Sequence, residues 1–83
     1  MSYILTFPNT HAAIIAEKKL LQSGYPVGVM PMPTTIQSGC GIALRVEDYY
    51  SSHELLKKNN ILVEAVYEVS ANNQGTVYRK LSL

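Results

Sequence analysis

The sequence predicts an α+β domain of ferredoxin-like order, β-α-β-β-α-β, in which an antiparallel sheet carries both helices on one face and can accept an extra C-terminal strand. Three observations predict it. Segments with β-branched or period-two apolar patterning recur along the chain, and two stretches with helical spacing and recognisable caps separate them. The 83 residues suffice for one core, of a size that buries only about 60% of the unfolded surface. Two right-handed crossover units then interleave into one sheet with strand order four, one, three, two.

Tyr3 to Phe7 is β-branched and aromatic and ends at Pro8, which makes it the first strand. Asn9 or Thr10 caps the helix that follows, His11 to Ser23, whose apolar positions include Ala13, Ala16 and Leu20 and which stops at Gly24. Val27 to Met32 is the second strand. An irregular connection rich in Pro, Thr, Ser and Gly leads from it to Cys40. Ile42, Leu44 and Val46 alternate with Gly41, Ala43 and Arg45, the pattern of a third strand with one buried face. The second helix begins between Asp48, a candidate cap, and the capping-box sequence Ser51-Ser-His-Glu54, and it runs to Asn59-Asn60. Leu62 to Val69 is the fourth strand. Asn72-Asn-Gln-Gly75 is turn chemistry, after which Val77 to Leu83 returns as a fifth strand or frays. The organisation is one ferredoxin-like domain over residues 1–69, followed by a tail or additional edge strand over 70–83.

Composition excludes several classes of function. Hydrophobic residues make up 47% and charged residues 16%, a globular balance far from disorder. A net charge of +1 is too small to attract a phosphate backbone, so nucleic acid is not an expected partner. The basic pairs Lys18-Lys19 and Lys57-Lys58 fall late in the two helices, where the dipole favours them. The longest strictly apolar run, Ala12 to Ala16, is far short of the ~20 residues of a membrane span. With one cysteine and no signal-peptide pattern, the expected location is cytoplasmic.

Cys40 is the one plausible reactive atom. In the expected topology the start of the third strand meets the end of the first, so Cys40 approaches Asn9, Thr10 and His11 and the exposed N–H groups of the first helical turn. Its parity with Ile42, Leu44 and Val46 puts it on the helix-covered side. An ordinary thiol with pKa ~8.5 is about 3% thiolate at neutral pH, and a helix start favours an anion by ~0.3–1 kcal/mol, enough for a several-fold gain in thiolate. Unpaired cysteines are usually small buried hydrophobes. Against that, Ser38-Gly39-Cys40-Gly41 places glycine on both sides of the sulfur, an arrangement that suits presentation in a loop. The expectation is a partly accessible thiol that reacts faster than in the unfolded chain. His11 is placed to take the thiol proton, or it is simply an exposed first-turn histidine. His53 belongs to the other helix, at the opposite end of the sheet.

Other constellations are weak. One Cys and two scattered His give no metal site, there is no Cys-x-x-Cys and no glycine-rich phosphate loop, and no cofactor is implied. The carboxylates form no identifiable acid/base pair, although Glu17 is a candidate ion-pair partner for Arg45.

Phe7-Pro-Asn-Thr-His-Ala-Ala13, Ala16-Glu17-Lys18 and Ser38-Gly-Cys-Gly-Ile-Ala-Leu-Arg45 resemble a bacterial family of unknown function known as selenium/sulfur carrier protein-like, with the likeness spanning roughly residues 2 to 68. The resemblance implies a carrier and not an enzyme. It implies that Cys40 accepts sulfur or selenium as a persulfide or selenosulfide within the loop Ser38, Gly39, Cys40 and Gly41, from a cysteine desulfurase or other chalcogen donor, and hands it to an acceptor protein. Members are also similar to sulfur-relay proteins whose carrier cysteine precedes proline, where this sequence has Gly41. Two other classes remain open: a noncatalytic dimeric binding or regulatory module with a bystander cysteine, and a single-thiol redox sensor. A homodimer is expected through the final strand or through the uncovered sheet face. That face is expected to hold Ala43, Val66 and Ile4 or Met30, punctuated by Arg45, Glu64 and Glu68.

Overall fold

The computed structural model describes residues 2–36 and 40–82. Its elements are β1 (Ser2–Thr6), α1 (Thr10–Gln22), β2 (Val27–Pro31), β3 (Ile42–Val46), α2 (Tyr49–Lys58), β4 (Ala65–Asn72) and β5 (Gly75–Leu81). All strand pairs are antiparallel, in the order β2-β3-β1-β4-β5. This is the ferredoxin-like α+β arrangement, with the extra strand realised as a hairpin partner of β4. The chain after residue 69 continues β4 to Asn72, turns, and returns in register from Gly75.

Local chemistry accounts for both helices. Asn9, in extended backbone, accepts the Ala12 N–H at 2.8 Å through its side-chain oxygen, which closes one of the orphan donors of α1. Ala13, Ala16 and Leu20 then fall on one stripe and are buried. Asp48 plays the same part for α2, accepting from Ser51 N at 3.1 Å, so the cap lies at the earlier of the two expected positions. The C-terminal ends are alike. Gly24 (φ +81°) and Asn60 (φ +61°) take the left-handed conformation. Tyr25 N then reaches Leu20 O at 2.9 Å and Ile61 N reaches Leu56 O at 2.9 Å, the six-to-one bond of a Schellman motif at each end.

The helices cover one sheet face. Leu5, Phe7, Leu44, Val46 and Val66 meet Ala13, Ala16, Leu20 and Leu56 there, and Cys40 is buried among them. The Leu, Val and Phe side chains among them contribute ~1.5–3 kcal/mol each on full burial. A smaller cluster of Ile4, Ala43 and Ile36 occupies the opposite face, with Met30, Tyr67, Val69 and Tyr78 packed against it.

The face assignments need correction on β4. Leu5 pairs with both Leu44 and Val66, so Val66 is a core residue on the helix side and does not belong to the open face. Glu64 and Glu68 share its parity, and Glu68 is held by Arg79 at 2.8 Å across the β4–β5 hairpin. Of the three charges expected to punctuate the open face, Arg45 is the one that lies there, paired beside Ile4 and Gly28. Its face is opposite the helices, which separates it from Glu17 on α1. The strand bounds shift as well. Ile61 to Glu64 serve the exit from α2, and β4 begins at Ala65, three residues later than its pattern suggests.

Candidate functional site

β1 and β3 run antiparallel, with Tyr3 opposite Val46 and Leu5 opposite Leu44, so the entry to β3 lies beside the exit of β1. That register brings Cys40 to the start of α1. Its thiol donates to the Ile42 carbonyl at 3.1 Å, and Thr10 Oγ1 lies 3.9 Å from the sulfur. The expected meeting of Cys40 with the first helical turn is therefore present, and Thr10 is the residue that makes it.

Accessibility differs from the expectation. Cys40 is 2% exposed, on the side of Phe7, Ala13 and Leu44, and its proton points at a backbone acceptor. The reason is the parity that the sequence already shows: a residue in phase with Ile42, Leu44 and Val46 shares their burial once α1 packs over the sheet. Gly41, next in the chain, is exposed, and a Cβ built there would meet nothing within 4 Å. The backbone beside the sulfur is thus open to solvent on its outer side. Ser38 and Gly39, expected as the other half of the loop, lie outside the described residues.

His11 is exposed on the first turn of α1, and Asn9 is committed to its cap. His53 is half-buried on α2, whose start packs against the opposite end of β1 through Tyr3 and Tyr49, with ring centroids 4.7 Å apart. The two histidines thus sit on different helices, His11 in the first turn of α1 and His53 midway along α2. No group of three or more potential metal ligands occurs among the described residues. No helix among them is long and apolar enough to cross a membrane.

The sequence placed Thr10 beside Cys40 through the helix start, without giving its hydroxyl a contact of its own to the sulfur. What it missed at this end is Ile36, which is buried over Ile4 and Ala43 on the open face, with Ile36 N bonded to Pro33 O at 3.0 Å. The connection leaving β2 therefore anchors on one sheet face at Ile36 and re-enters on the other at Cys40. A single large apolar residue in an otherwise polar Pro-Thr-Thr stretch was the available signal.

A two-layer α+β domain with a thiol at the junction of its first helix and third strand is the class that the fold and site define. The family profile described as "Putative Se/S carrier protein-like" matches residues 2–68. The chain belongs to that family. Neither the comparison with curated proteins nor that with solved structures returned a match.

Proposed function

We propose that this protein carries sulfur or selenium on Cys40 as a persulfide or selenosulfide and passes it from a donor protein to an acceptor. The observation that supports the reading most directly is the position of Sγ beside Thr10 at the start of α1, in a chain whose family is described as carrier-like. In the exchange, the Cys40 thiolate attacks the outer chalcogen of a donor persulfide or selenosulfide. The S–S or S–Se bond of the donor breaks, the donor leaves as a thiolate that takes up a proton, and a new bond forms on Cys40 without net oxidation. A cysteine desulfurase is the fitting donor because it presents such a terminal chalcogen.

Each neighbour then has a task. The Thr10 hydroxyl rotates to donate to the sulfur once the thiol proton has left, and His11, exposed on the same turn, receives that proton. The Ile42 carbonyl holds the resting thiol and is a poor neighbour for an anion, so loading requires Sγ to turn away from it toward the open side of Gly41. The role is that of a carrier, with turnover supplied by its partners.

A second reading is favoured by one observation, the 2% exposure of Cys40, which suits a structural cysteine in a binding or regulatory module. Intact-mass analysis after incubation with a cysteine desulfurase and cysteine or selenocysteine separates the two. The carrier gains one chalcogen atom that dithiothreitol removes and that Cys40→Ala never acquires. An unmodified mass under both conditions, with a known acceptor labelled in parallel, overturns the carrier reading in favour of the module.

A further inference from the structure

The open sheet face is divided in two. Ile36 fills the half nearer Cys40, whereas the other half is a groove of about 760 Å³ at the end of β3 and the start of β1, β2 and β5. Ser2, Gly28, Ala71 and Thr76 make its hollow by their small size, and Met30 and Tyr78 form apolar walls. Arg45 and Glu47, opposite charges two residues apart at the end of β3, both line it. Neither has an ion-pair partner among the described residues, where Arg79 and Glu68 are the pair that forms.

We propose that this groove is the contact surface of a symmetric homodimer. A two-fold axis lying in the interface and crossing β3 between Arg45 and Glu47 brings Arg45 of each copy to Glu47 of the other, so the charges are satisfied twice by a second copy of the same chain. A small ligand of one sign is less well served. An anion attracted by Arg45 is opposed by Glu47, and a cation meets the converse, whereas a copy of this face supplies both signs at the right spacing. The same contact buries the apolar walls that Ile36 leaves uncovered.

The division of the face also keeps the two activities apart. Cys40 lies six residues before Val46, roughly 20 Å along an extended chain, so a dimer formed at the groove leaves both thiol ends outward. Association therefore does not depend on Cys40, and Cys40→Ala dimerises as the wild type does whether or not chalcogen transfer occurs.

Sedimentation velocity over a concentration series of the full chain, at low and at high salt, tests the proposal. The wild type is a dimer that dissociates on dilution and more readily in salt. Arg45→Glu and Glu47→Arg each weaken association on the order of 100-fold, about tenfold at each of two symmetric contacts, and the double reversal restores it. Circular dichroism verifies that these exposed substitutions leave the fold intact. Three outcomes overturn the inference: a wild type that stays monomeric at high micromolar concentration, dimers that survive both single reversals and so form elsewhere, such as the β5 edge, or a double variant that remains as weak as the single ones.

Discussion

The two helices end identically and begin differently. Each closes with a left-handed residue, Gly24 or Asn60, and a buried leucine three positions inside the end, Leu20 or Leu56. At the other end, α1 starts from the neutral cap Asn9 with no acidic residue in its first turn, whereas α2 starts from the anionic cap Asp48. Hydrogen bonds from the Ser51 backbone and side chain hold the Asp48 carboxyl below the usual carboxylate range. The positive end of α2 is thus occupied by its own carboxylate. At the start of α1 the neighbouring group is the Cys40 thiol, 3.9 Å from Thr10 Oγ1. The closing ends are alike, and the starting ends differ in what lies beside them, a carboxylate of its own for α2 and a thiol from outside the helix for α1.

The common ends give the largest expected effect. Leu20→Ala and Leu56→Ala each remove a fully buried side chain from the last turn of its helix while keeping the backbone carbonyl that closes it, and each costs about 2–5 kcal/mol by urea unfolding. Similar losses show that the two helix ends are anchored equally by their leucines. A loss under 1 kcal/mol at either would show that its helix is held mainly by other contacts.

Next come the left-handed residues. Gly24 has φ +81° with open space where a Cβ would sit, so Gly24→Ala suffers backbone strain without a clash and costs about 1 kcal/mol. Asn60→Gly at φ +61° is neutral or stabilising by a few tenths of a kcal/mol. If Gly24→Ala unfolds at the wild-type midpoint, the backbone there relaxes out of the left-handed region.

Much of this comparison was legible in the sequence, because caps are local. Asn9, Gly24, Asp48 and Asn60 each act through bonds to residues within four positions, and short-range patterns report them directly. The fold order was legible for the related reason that periodicity marks elements and handedness limits their assembly. Non-local facts were not. Alternation divides β4 correctly into two sets, but which set meets the helices is decided by its register with β1, where Leu5 faces Val66. The site shows the same divide. Strand order brought Cys40 to α1, yet its burial depends on how closely α1 packs over β3, and Ile36 lies on the far face because of a connection that has no period to read.

Two measurements on the thiol sharpen the contrast at the start of α1. Folded wild type reacts with iodoacetamide more slowly than the urea-unfolded chain at the same pH, because a sulfur 2% exposed must first move outward. A folded rate above the unfolded one would show that the burial is readily relieved and that thiolate activation prevails. Asn9→Asp then gives α1 the anionic start that α2 has. Its carboxylate competes with the thiolate for the helix end, and alkylation of the folded protein falls by about two- to fivefold with little change in stability. An unchanged rate would mean that the N-terminus of α1 does not influence Cys40, leaving Thr10 as the contact that matters.

The smallest effect belongs to Asp48, and its sign follows from proton linkage. The carboxyl is lowered in the folded state by its bonds to Ser51, so the unfolded chain binds the proton more readily. The contribution to stability is then fully present above the unfolded value of ~3.9 and is lost as pH falls through the lower folded value. Asp48 is fully exposed, so water and salt screen its charge and the loss is modest. Asp48→Asn keeps a capping oxygen for Ser51 N but has no proton to bind. Urea midpoints at pH 5.5 and pH 3 should therefore fall less steeply in the variant, because only the wild type loses this contribution as Asp48 begins to take up a proton. Asn9→Ala supplies the control: it weakens α1 by about 1 kcal/mol at both pH values, because the lost acceptor carries no charge. Parallel slopes for wild type and Asp48→Asn would assign the acid sensitivity to other carboxylates, and the contrast between the two helix starts would then be one of geometry alone.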